Sequence, residues 1–289
     1  MKKCHFSILY NELPFLKQKL PFLYDRFEQL IFFDLNVGTY NPHFSTDGSH
    51  EFIQDYPDPA NKITLINETD ISGVQGYCGA GSIEKQKMFA LGSRYVNDDI
   101  DVFWCTDLDE FFHEAFIDEV EDCFRKFPEV NAIDLEHYIF WKNFEHILCY
   151  LDKDTRPLFA RVCRHKKGNI YSHCAIQDQF PQTLFLENEQ YYHFSWVGNA
   201  RVKNKFHHYS RPPTGNPQNI ASYEKYWKDV WMPFDESMDI EPGEVFGYPH
   251  MHPNPAISMG IKKFAGNLPS YVNYSELKRD LDLMTQHTP

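Results

Sequence analysis

Apolar runs alternate with amphipathic segments along the first half of the chain, and this alternation predicts a sheet covered by helices. Short runs rich in Phe, Ile, Leu and Val have the length of buried strands and cover residues 4–10, 30–33, 63–66 and 102–105. Between the first two runs, apolar residues recur with rough helical spacing, in a helix that Pro21 is expected to kink or split. A strand, a helix and a strand of this length predict parallel pairing, so the predicted fold class is α/β with a Rossmann-like sheet.

The second half of the chain changes from this alternation to a series of short strands. Amphipathic helices are predicted over 82–95 and 116–127. Strands are then predicted at residues 132–140, 158–164, 169–174, 183–186 and 191–196. We therefore predict one domain over 1–210, with a mostly parallel central sheet flanked by helices in 1–115 and a mixed sheet in 116–210. Residues 211–289 are predicted to form a C-terminal extension or lid packed on the same domain, with helices over 221–230 and after Tyr271.

Composition narrows the class of protein. The chain has 289 residues and a formal net charge of −13, which argues against a nucleic-acid partner because a phosphate backbone requires a basic surface. Aromatic residues make up 16% of the chain, which suits a cleft that stacks rings or sugars, although most of them must be core. Seven scattered cysteines without C-x-x-C spacing predict reduced, mostly buried thiols and a cytoplasmic protein. We expect no secretory signal and no membrane span.

The strand predicted at 102–105 ends in an acidic sequence, Asp107-Leu108-Asp109-Glu110. In an extended segment alternate side chains share a direction, so Asp107 and Asp109 are expected to point the same way. Two carboxylates held together repel each other unless a cation lies between them, and hard oxygen ligands suit Mg²⁺ or Mn²⁺. The alternative is a solvated strand end in which Asp109 caps the following helix. The aromatic residues on both sides of the acidic sequence favour the metal site.

A second candidate site is a glycine-rich loop. Four glycines lie between residues 73 and 81, and they precede the helix predicted from Ser82, which carries Lys85 near its start. A glycine loop that leads into a helix N-terminus beside a lysine can hold phosphate, so Lys85 is a candidate phosphate ligand. The alternative is an ordinary glycine loop and a lysine that solvates the helix.

The polar residues at the strand ends stand in a fixed order along the chain. Asn11-Glu12 follows the first strand, Asp34 the second, then come Ser-Thr-Asp-Gly-Ser at 45–49 and Asp-Leu-Asp-Glu-Phe at 107–111. This order resembles the family-two-like glycosyltransferases of the GT-A fold. About ten residues separate Asp34 from Ser45, where that family has two or three. The sequence His-Phe-Ser-Trp at 193–196 resembles a segment of the family that adds a bisecting N-acetylglucosamine.

The resemblance implies a nucleotide-diphosphate sugar donor, with UDP or GDP as the nucleotide, and transfer of its sugar to a hydroxyl of a glycan acceptor. It also implies an Mn²⁺ or Mg²⁺ ion on the two phosphates, because charge grows on the leaving diphosphate. Asp109 is expected to bind the metal directly, and Asp107 to bind it through water or to contact the ribose. His193 is expected as the third metal ligand, with His207 and His208 as competitors. The alternative for His193 is a half-buried histidine bonded to a backbone carbonyl.

Further contacts with the nucleotide-sugar donor are expected from residues near the strand ends and after the last strand. Asn11 and Asp34 fall at carboxyl ends of parallel strands, where open sheets bind their ligands. Glu12 and Asp34 are expected to accept hydrogen bonds from the base and the ribose, although Glu12 fits an ordinary turn residue equally well. Lys203 and Lys205 are expected to reach the diphosphate, and ordinary surface lysines are the alternative.

The expected transfer inverts the sugar and needs a general base on the acceptor hydroxyl. Asp178 is the first candidate, Glu136 the second and Glu187 the third, and each is equally explained as a surface carboxylate. Two other classes of function remain open at this stage. One is a nucleotidyltransferase or phosphoesterase on a related sheet, and the other is a non-catalytic carbohydrate-binding protein.

Overall fold

The computed structural model describes residues 1–35, 43–74, 83–149, 156–171, 182–210, 224, 227–235, 237 and 260–284. The chain is an α/β protein that divides into two units. The first unit consists of Met1–Leu135, Pro157–Gln190 and Pro269–Val272. The second unit consists of Glu136–Arg156, Tyr191–Leu268 and Asn273–Pro289. The predicted domain over 1–210, with its halves 1–115 and 116–210, and the extension over 211–289 stay predictions.

The first unit is built on parallel strands, as the strand-helix alternation predicts. Its parallel strands are β1 (Lys3–Leu9), β2 (Gln29–Asp34), β3 (Ile63–Ile66) and β4 (Val102–Cys105). Strand β1 pairs with both β2 and β4, and β2 pairs with β3. The register places Leu9 opposite Asp34 and Phe6 opposite Cys105, so β2 and β4 end close to the end of β1. The carboxyl ends of these strands therefore lie at one edge of the sheet.

Among the described residues, four helices belong to the first unit, together with a short strand. They are α1 (Leu13–Arg26), α2 (Ser49–Gln54), α3 (Ile83–Gly92) and α4 (Ala115–Lys126), and β5 is Glu110–Phe111. A 3₁₀ turn over Ser93–Tyr95 extends α3. Helix α1 continues through Pro21 instead of splitting there. Proline removes the donor for the carbonyl of Lys17, and both residues are exposed, so water can take that place.

Aromatic and aliphatic side chains fill the core of the first unit. Phe6, Phe33 and Phe103 come from three adjacent strands, and Met88 and Phe89 come from α3. All five are at most 1% exposed. The apolar runs of β1, β2 and β4 are buried, as near-continuous hydrophobic strands require, whereas in β3 only Ile66 is buried.

In its described residues, the second unit holds antiparallel strands, α-helices and a π-helix. It begins within β6 (Ala132–Lys142), continues with β7 (His146–Cys149) up to the first residue of β8 (Arg156–Arg164), and includes the later part of β9 (Thr183–Val197). Its remaining elements are α5 (Asn199–Ser210), a π-helix over Trp227–Trp231, β10 (Gly260–Lys263) and α6 (Tyr274–Leu283). Strand β7 pairs antiparallel with β6 and with β10, through Leu148 opposite Ile139 and Ile261. Only Arg156 of β8 belongs to this unit; the rest of β8 is in the first unit, where it pairs antiparallel with β4.

The second half departs from the expected elements in several places. The strands expected at 183–186 and 191–196 form the single strand β9, because the polar residues at 187–190 continue the extended backbone. Helix α5 and strands β7 and β10 were not expected, since each is short or polar in sequence. Residues 169–171 are not a strand, and the rest of the strand expected at 169–174 lies outside the described residues.

Two expectations from composition concern thiols and membranes. The described cysteines at 4, 105, 123, 149 and 163 are free and buried, as expected. Within the described ranges, none of the helices combines the length and the hydropathy needed to cross a bilayer. The cytoplasmic location stays a prediction.

Candidate functional site

Residues 106–110, here named the acidic turn, follow the buried strand β4 at its carboxyl end. The segment is a turn closed by the Glu110 N–H, which donates to the Asp107 carbonyl over 3.1 Å, rather than the extended segment that the sequence suggested. The Asp107 side chain is 22% exposed, whereas Asp109 is 4% exposed and Glu110 fully buried. The Asp107 carboxylate is therefore the one that solvent reaches most easily.

Lys85 and Asp107, both expected to contact the donor, lie together in the first unit. Lys85 projects from α3, and its Nζ donates to both Asp107 carboxylate oxygens over 2.9 and 3.2 Å. The two side chains are 24% and 22% exposed. A positive charge is thus held beside the most accessible carboxylate of the acidic turn, in a position that a ligand from solvent can reach.

Glu110 holds the acidic turn from within. Its Oε1 accepts a hydrogen bond from Arg161 Nη2 on β8 over 2.8 Å, and its Oε2 accepts one from the Asp107 N–H over 3.0 Å. The side chains of Glu110 and Arg161 are 0% and 4% exposed. Because both charges are buried and paired, each would be strongly destabilising without the other.

A completely buried lysine of α1, Lys19, lies under the same turn. Its Nζ donates to Thr106 Oγ1 over 2.8 Å and to the carbonyl oxygens of Asp107 and Glu110 over 2.6 Å each. Burial lowers the pKa of Lys19 to about 8, although the charges of Glu110, Asp109 and Asp107 act to raise it. The ammonium form therefore prevails at pH 7 and offers three donors to three acceptors.

Strand β1 fixes the start of the acidic turn. Ser7 Oγ donates to the Thr106 carbonyl over 2.6 Å, and His5 Nε2 lies 2.7 Å from Thr106 Oγ1. Burial, together with the nearby Lys19 charge, holds the pKa of His5 well below its usual value. A neutral imidazole therefore accompanies the buried ammonium at this point.

Asp34 ends β2 as expected, but its carboxylate is fully buried and bonded within the protein. Its oxygens accept hydrogen bonds from the Ser45 N–H over 3.0 and 3.1 Å and from Ser45 Oγ over 2.6 Å, and His50 Nδ1 lies 2.9 Å away. Burial raises the pKa of Asp34 despite these hydrogen bonds. In this conformation Asp34 holds the loop at Ser45, and a contact with the donor's base or ribose stays a prediction.

Asn11 and Glu12 are tied to the same loop. Asn11 adopts a left-handed backbone with φ of 55°, its N–H donates to Ser45 Oγ over 2.9 Å, and its Oδ1 accepts the Thr46 N–H over 2.8 Å. The Glu12 N–H donates to Ser49 Oγ over 3.2 Å. Both residues are partly exposed, and their predicted donor contacts remain predictions.

The predicted residues of the second unit lie on β6, β9 and α5. His193 is half-buried, and its ring centroid lies 5.7 Å from that of His137. The aromatic neighbours Tyr192 and Trp196 are buried, at 5% and 2% exposed. The His193 ligand role stays a prediction, and among the described residues no group of three His, Cys, Asp or Glu side chains is arranged to hold a metal ion.

The two lysines of α5 differ in their surroundings. Lys203 is exposed, whereas Lys205 donates to the carbonyl and to Oγ of Ser195 over 2.9 and 2.8 Å. The candidate base Glu136 is half-buried on β6. Asp178 lies outside the described residues, as do the side chains of Glu187, His207 and His208.

One cavity of about 440 Å³ lies beside α1 and α2, lined by Phe52 and Tyr56 among others. No residue of the acidic turn lines it.

Sequence reasoning missed Lys19 and Arg161, the two buried cations of the acidic turn. Lys19 occupies a place in the apolar stripe of α1 between Phe15, Leu16, Leu20 and Leu23, all fully buried. A lysine on such a stripe is a signal for a buried charge with a partner elsewhere in the chain. Arg161 carries no comparable signal.

Comparison with known proteins leaves the family open. No protein-family model and no curated protein matches the chain. A crystal structure of S. aureus TarS residues 1–349 is similar with a TM-score of 0.41 and 11% identity, over 81% of this chain and 74% of that chain. A longer S. aureus TarS structure has a TM-score of 0.40 and 10% identity, over 82% of this chain and 44% of that one.

A third similar structure is described as a glucose-1-phosphate thymidylyltransferase from Bacillus anthracis in complex with a sucrose. Its TM-score is 0.40 and its identity 8%, over 71% of this chain and 93% of that chain. At these TM-scores and identities the three likenesses assign no role to any residue.

Proposed function

We propose that the chain is a metal-dependent glycosyltransferase that moves a sugar from a nucleotide-diphosphate sugar to a hydroxyl of a glycan or similar acceptor. The observation that carries this proposal is the acidic turn, which places partly exposed Asp107 beside Lys85 at the carboxyl end of a central parallel strand. Ligands of open parallel sheets bind at that edge. The order of polar residues along the chain, which resembles GT-A glycosyltransferases, supports the same function.

The side chains of the turn suit a divalent ion and a diphosphate. Asp107 and Asp109 supply hard carboxylate oxygens, which Mg²⁺ and Mn²⁺ prefer. When bound, such an ion neutralises charge that develops on the leaving diphosphate. Lys85 supplies a mobile positive charge that can move from Asp107 to a phosphate oxygen, since both side chains reach solvent. Asp107 and Asp109 would thus hold the ion, and Lys85 would bind and orient the diphosphate.

Nucleotide binding tests this function directly. We expect UDP or GDP to bind in calorimetric titrations with Mn²⁺, and binding to be lost when EDTA replaces the ion. Asp109→Asn should leave the thermal unfolding transition in place while slowing sugar transfer by about 10²-fold or more, because a charge contact to the leaving group is lost. Equal nucleotide affinity with Mn²⁺ and with EDTA would refute the metal role.

The sugar and the reaction are tested with a donor panel. Incubation with UDP-, GDP- and dTDP-sugars and Mn²⁺ should give slow hydrolysis of one donor, since a glycosyltransferase without its acceptor transfers the sugar to water. If the protein, incubated with a nucleoside triphosphate and a sugar phosphate, instead releases pyrophosphate from the triphosphate, it is a nucleotidyltransferase. No turnover of any donor would indicate a binding protein.

A further inference from the structure

Both backbone groups of Asp107 are held by buried side chains. The N–H donates to Glu110 Oε2 over 3.0 Å, and the carbonyl accepts from Lys19 Nζ over 2.6 Å. The peptide planes before and after Asp107 are therefore each tied to a charged group. Because the direction of a Cα–Cβ bond follows from the backbone, these two bonds set the direction in which the Asp107 side chain leaves the main chain.

The groups that hold Asp107 are themselves fixed. Lys19 is 0% exposed and uses its two other donors on Thr106 Oγ1 and the Glu110 carbonyl. Glu110 is 0% exposed and is paired with Arg161 over 2.8 Å. Neither Lys19 nor Glu110 presents a surface to a substrate in this arrangement. Any part that they take in the reaction must act through the acidic turn.

We propose that Lys19 and Glu110 are positioning residues that orient Asp107 for the metal ion and the diphosphate. This inference rests on the proposed function of the acidic turn. Groups that orient a ligand carboxylate influence metal affinity even though they do not touch the metal. A buried ammonium between two carbonyls also resists rotation of the peptide planes, which an apolar side chain of equal length does not.

A purely structural role for Lys19 is the competing explanation, and Lys62 offers a matched control. Lys62 also belongs to the first unit, is partly buried, and donates from Nζ to the Tyr24 carbonyl over 2.7 Å. Its Nζ lies 4.9 Å from the centre of the Tyr24 ring. Lys62→Met therefore removes an ammonium-carbonyl bond in the same unit without touching the acidic turn.

The experiment compares Lys19→Met, Glu110→Gln and Lys62→Met in the full chain. Free Mn²⁺ is measured by electron paramagnetic resonance in the presence of UDP or GDP, and stability by thermal unfolding. We expect Lys19→Met and Glu110→Gln to weaken Mn²⁺ binding about 10- to 100-fold, as losses of ligand-orienting groups do. Lys62→Met should lower the unfolding temperature and leave Mn²⁺ binding unchanged.

Each outcome separates this inference from the proposed function. If wild-type protein binds neither nucleotide with Mn²⁺, the proposed function fails and the positioning role fails with it. If wild-type protein binds and both variants at Lys19 and Glu110 bind equally well, only the positioning role is refuted. Should Lys19→Met lack a cooperative unfolding transition, Glu110→Gln decides, because it keeps the side-chain volume while it removes the charge and one of the two acceptor oxygens that bind Arg161 and the Asp107 N–H.

Discussion

Asp34 offers the sharpest test of what the end of β2 does. Asp34→Ala removes the acceptor of the Ser45 N–H, the Ser45 hydroxyl and His50, at a carboxylate with 0% exposure. The hydroxyl can rotate to another partner, which leaves two donors without an acceptor. A buried donor without a partner costs about 1–3 kcal/mol, so we expect the free energy of unfolding to fall by about 2–6 kcal/mol.

Asp34→Asn is the matched variant. Its Oδ1 can still accept from the Ser45 N–H and the Ser45 hydroxyl, whereas its N–H₂ group replaces the oxygen that His50 and the second branch of the Ser45 N–H bond contact. We expect a loss of about 1 kcal/mol. Burial raises the folded-state pKa of Asp34 above its usual value. The stability from this group is therefore greatest at low pH and falls as pH rises through that pKa. The neutral Asn variant should accordingly approach wild type at pH 7 and fall behind it near pH 4.

Urea unfolding followed by tryptophan fluorescence measures both variants, and calorimetry with UDP or GDP measures nucleotide binding. If Asp34 only holds the loop at Ser45, Asp34→Asn should bind nucleotide as wild type does. If Asp34 contacts the base or ribose, both variants should bind nucleotide more weakly. An Asp34→Ala protein as stable as wild type would refute the account of the buried carboxylate.

Three further changes test other charges and one backbone position. Lys85→Met should tighten Mn²⁺ binding about two- to fivefold, because it removes one partly exposed ion pair with Asp107. The same variant should weaken the binding of UDP or GDP. A change of the two affinities in the same direction would contradict this expectation. Burial acts to raise the pKa of Glu121, but the Lys3 ammonium holds that pKa below its usual value. The stability that the Lys3–Glu121 pair contributes is therefore lost as pH falls. Glu121→Gln should thus lose about 1–2 kcal/mol at pH 7 in urea unfolding and far less near pH 3. Gly198→Ala should lose about 1 kcal/mol or more, because Gly198 has φ of 88°; no loss would exclude backbone strain there.

The parallel sheet of the first unit could be predicted because its signals are local. The runs at 30–33 and 102–105 are continuous and apolar, the run at 63–66 is interrupted only by Thr64, and the structure has strands at all three. The amphipathic spacing after residue 115 likewise predicts α4, where Phe116, Val120 and Phe124 are buried. Periodicity within ten or twelve residues is sufficient for such elements.

The interior of the candidate site could not be predicted in the same way. Lys19 meets Glu110 across 91 residues of sequence, and Arg161 meets Glu110 across 51. One sequence does not state which distant groups become neighbours. Asp34 shows the opposite problem: its position at a strand end was predicted, but the bond to Ser45 that buries it depends on a loop conformation without a periodic signal.

The formal charges around the acidic turn sum to zero, and the way they are distributed between interior and surface is relevant to the function of the turn. Asp107, Asp109 and Glu110 carry three negative charges, and Lys19, Lys85 and Arg161 carry three positive ones, so the formal sum is zero. A fold that needed only stability would be served as well by apolar side chains in place of the buried pair, since removing charges from water costs free energy. The chain instead keeps Lys19 and Arg161 fixed in the interior and leaves the Lys85–Asp107 pair open to solvent. An arrangement in which the buried charges are immobile and the outer pair is exchangeable suits a site that receives a charged ligand.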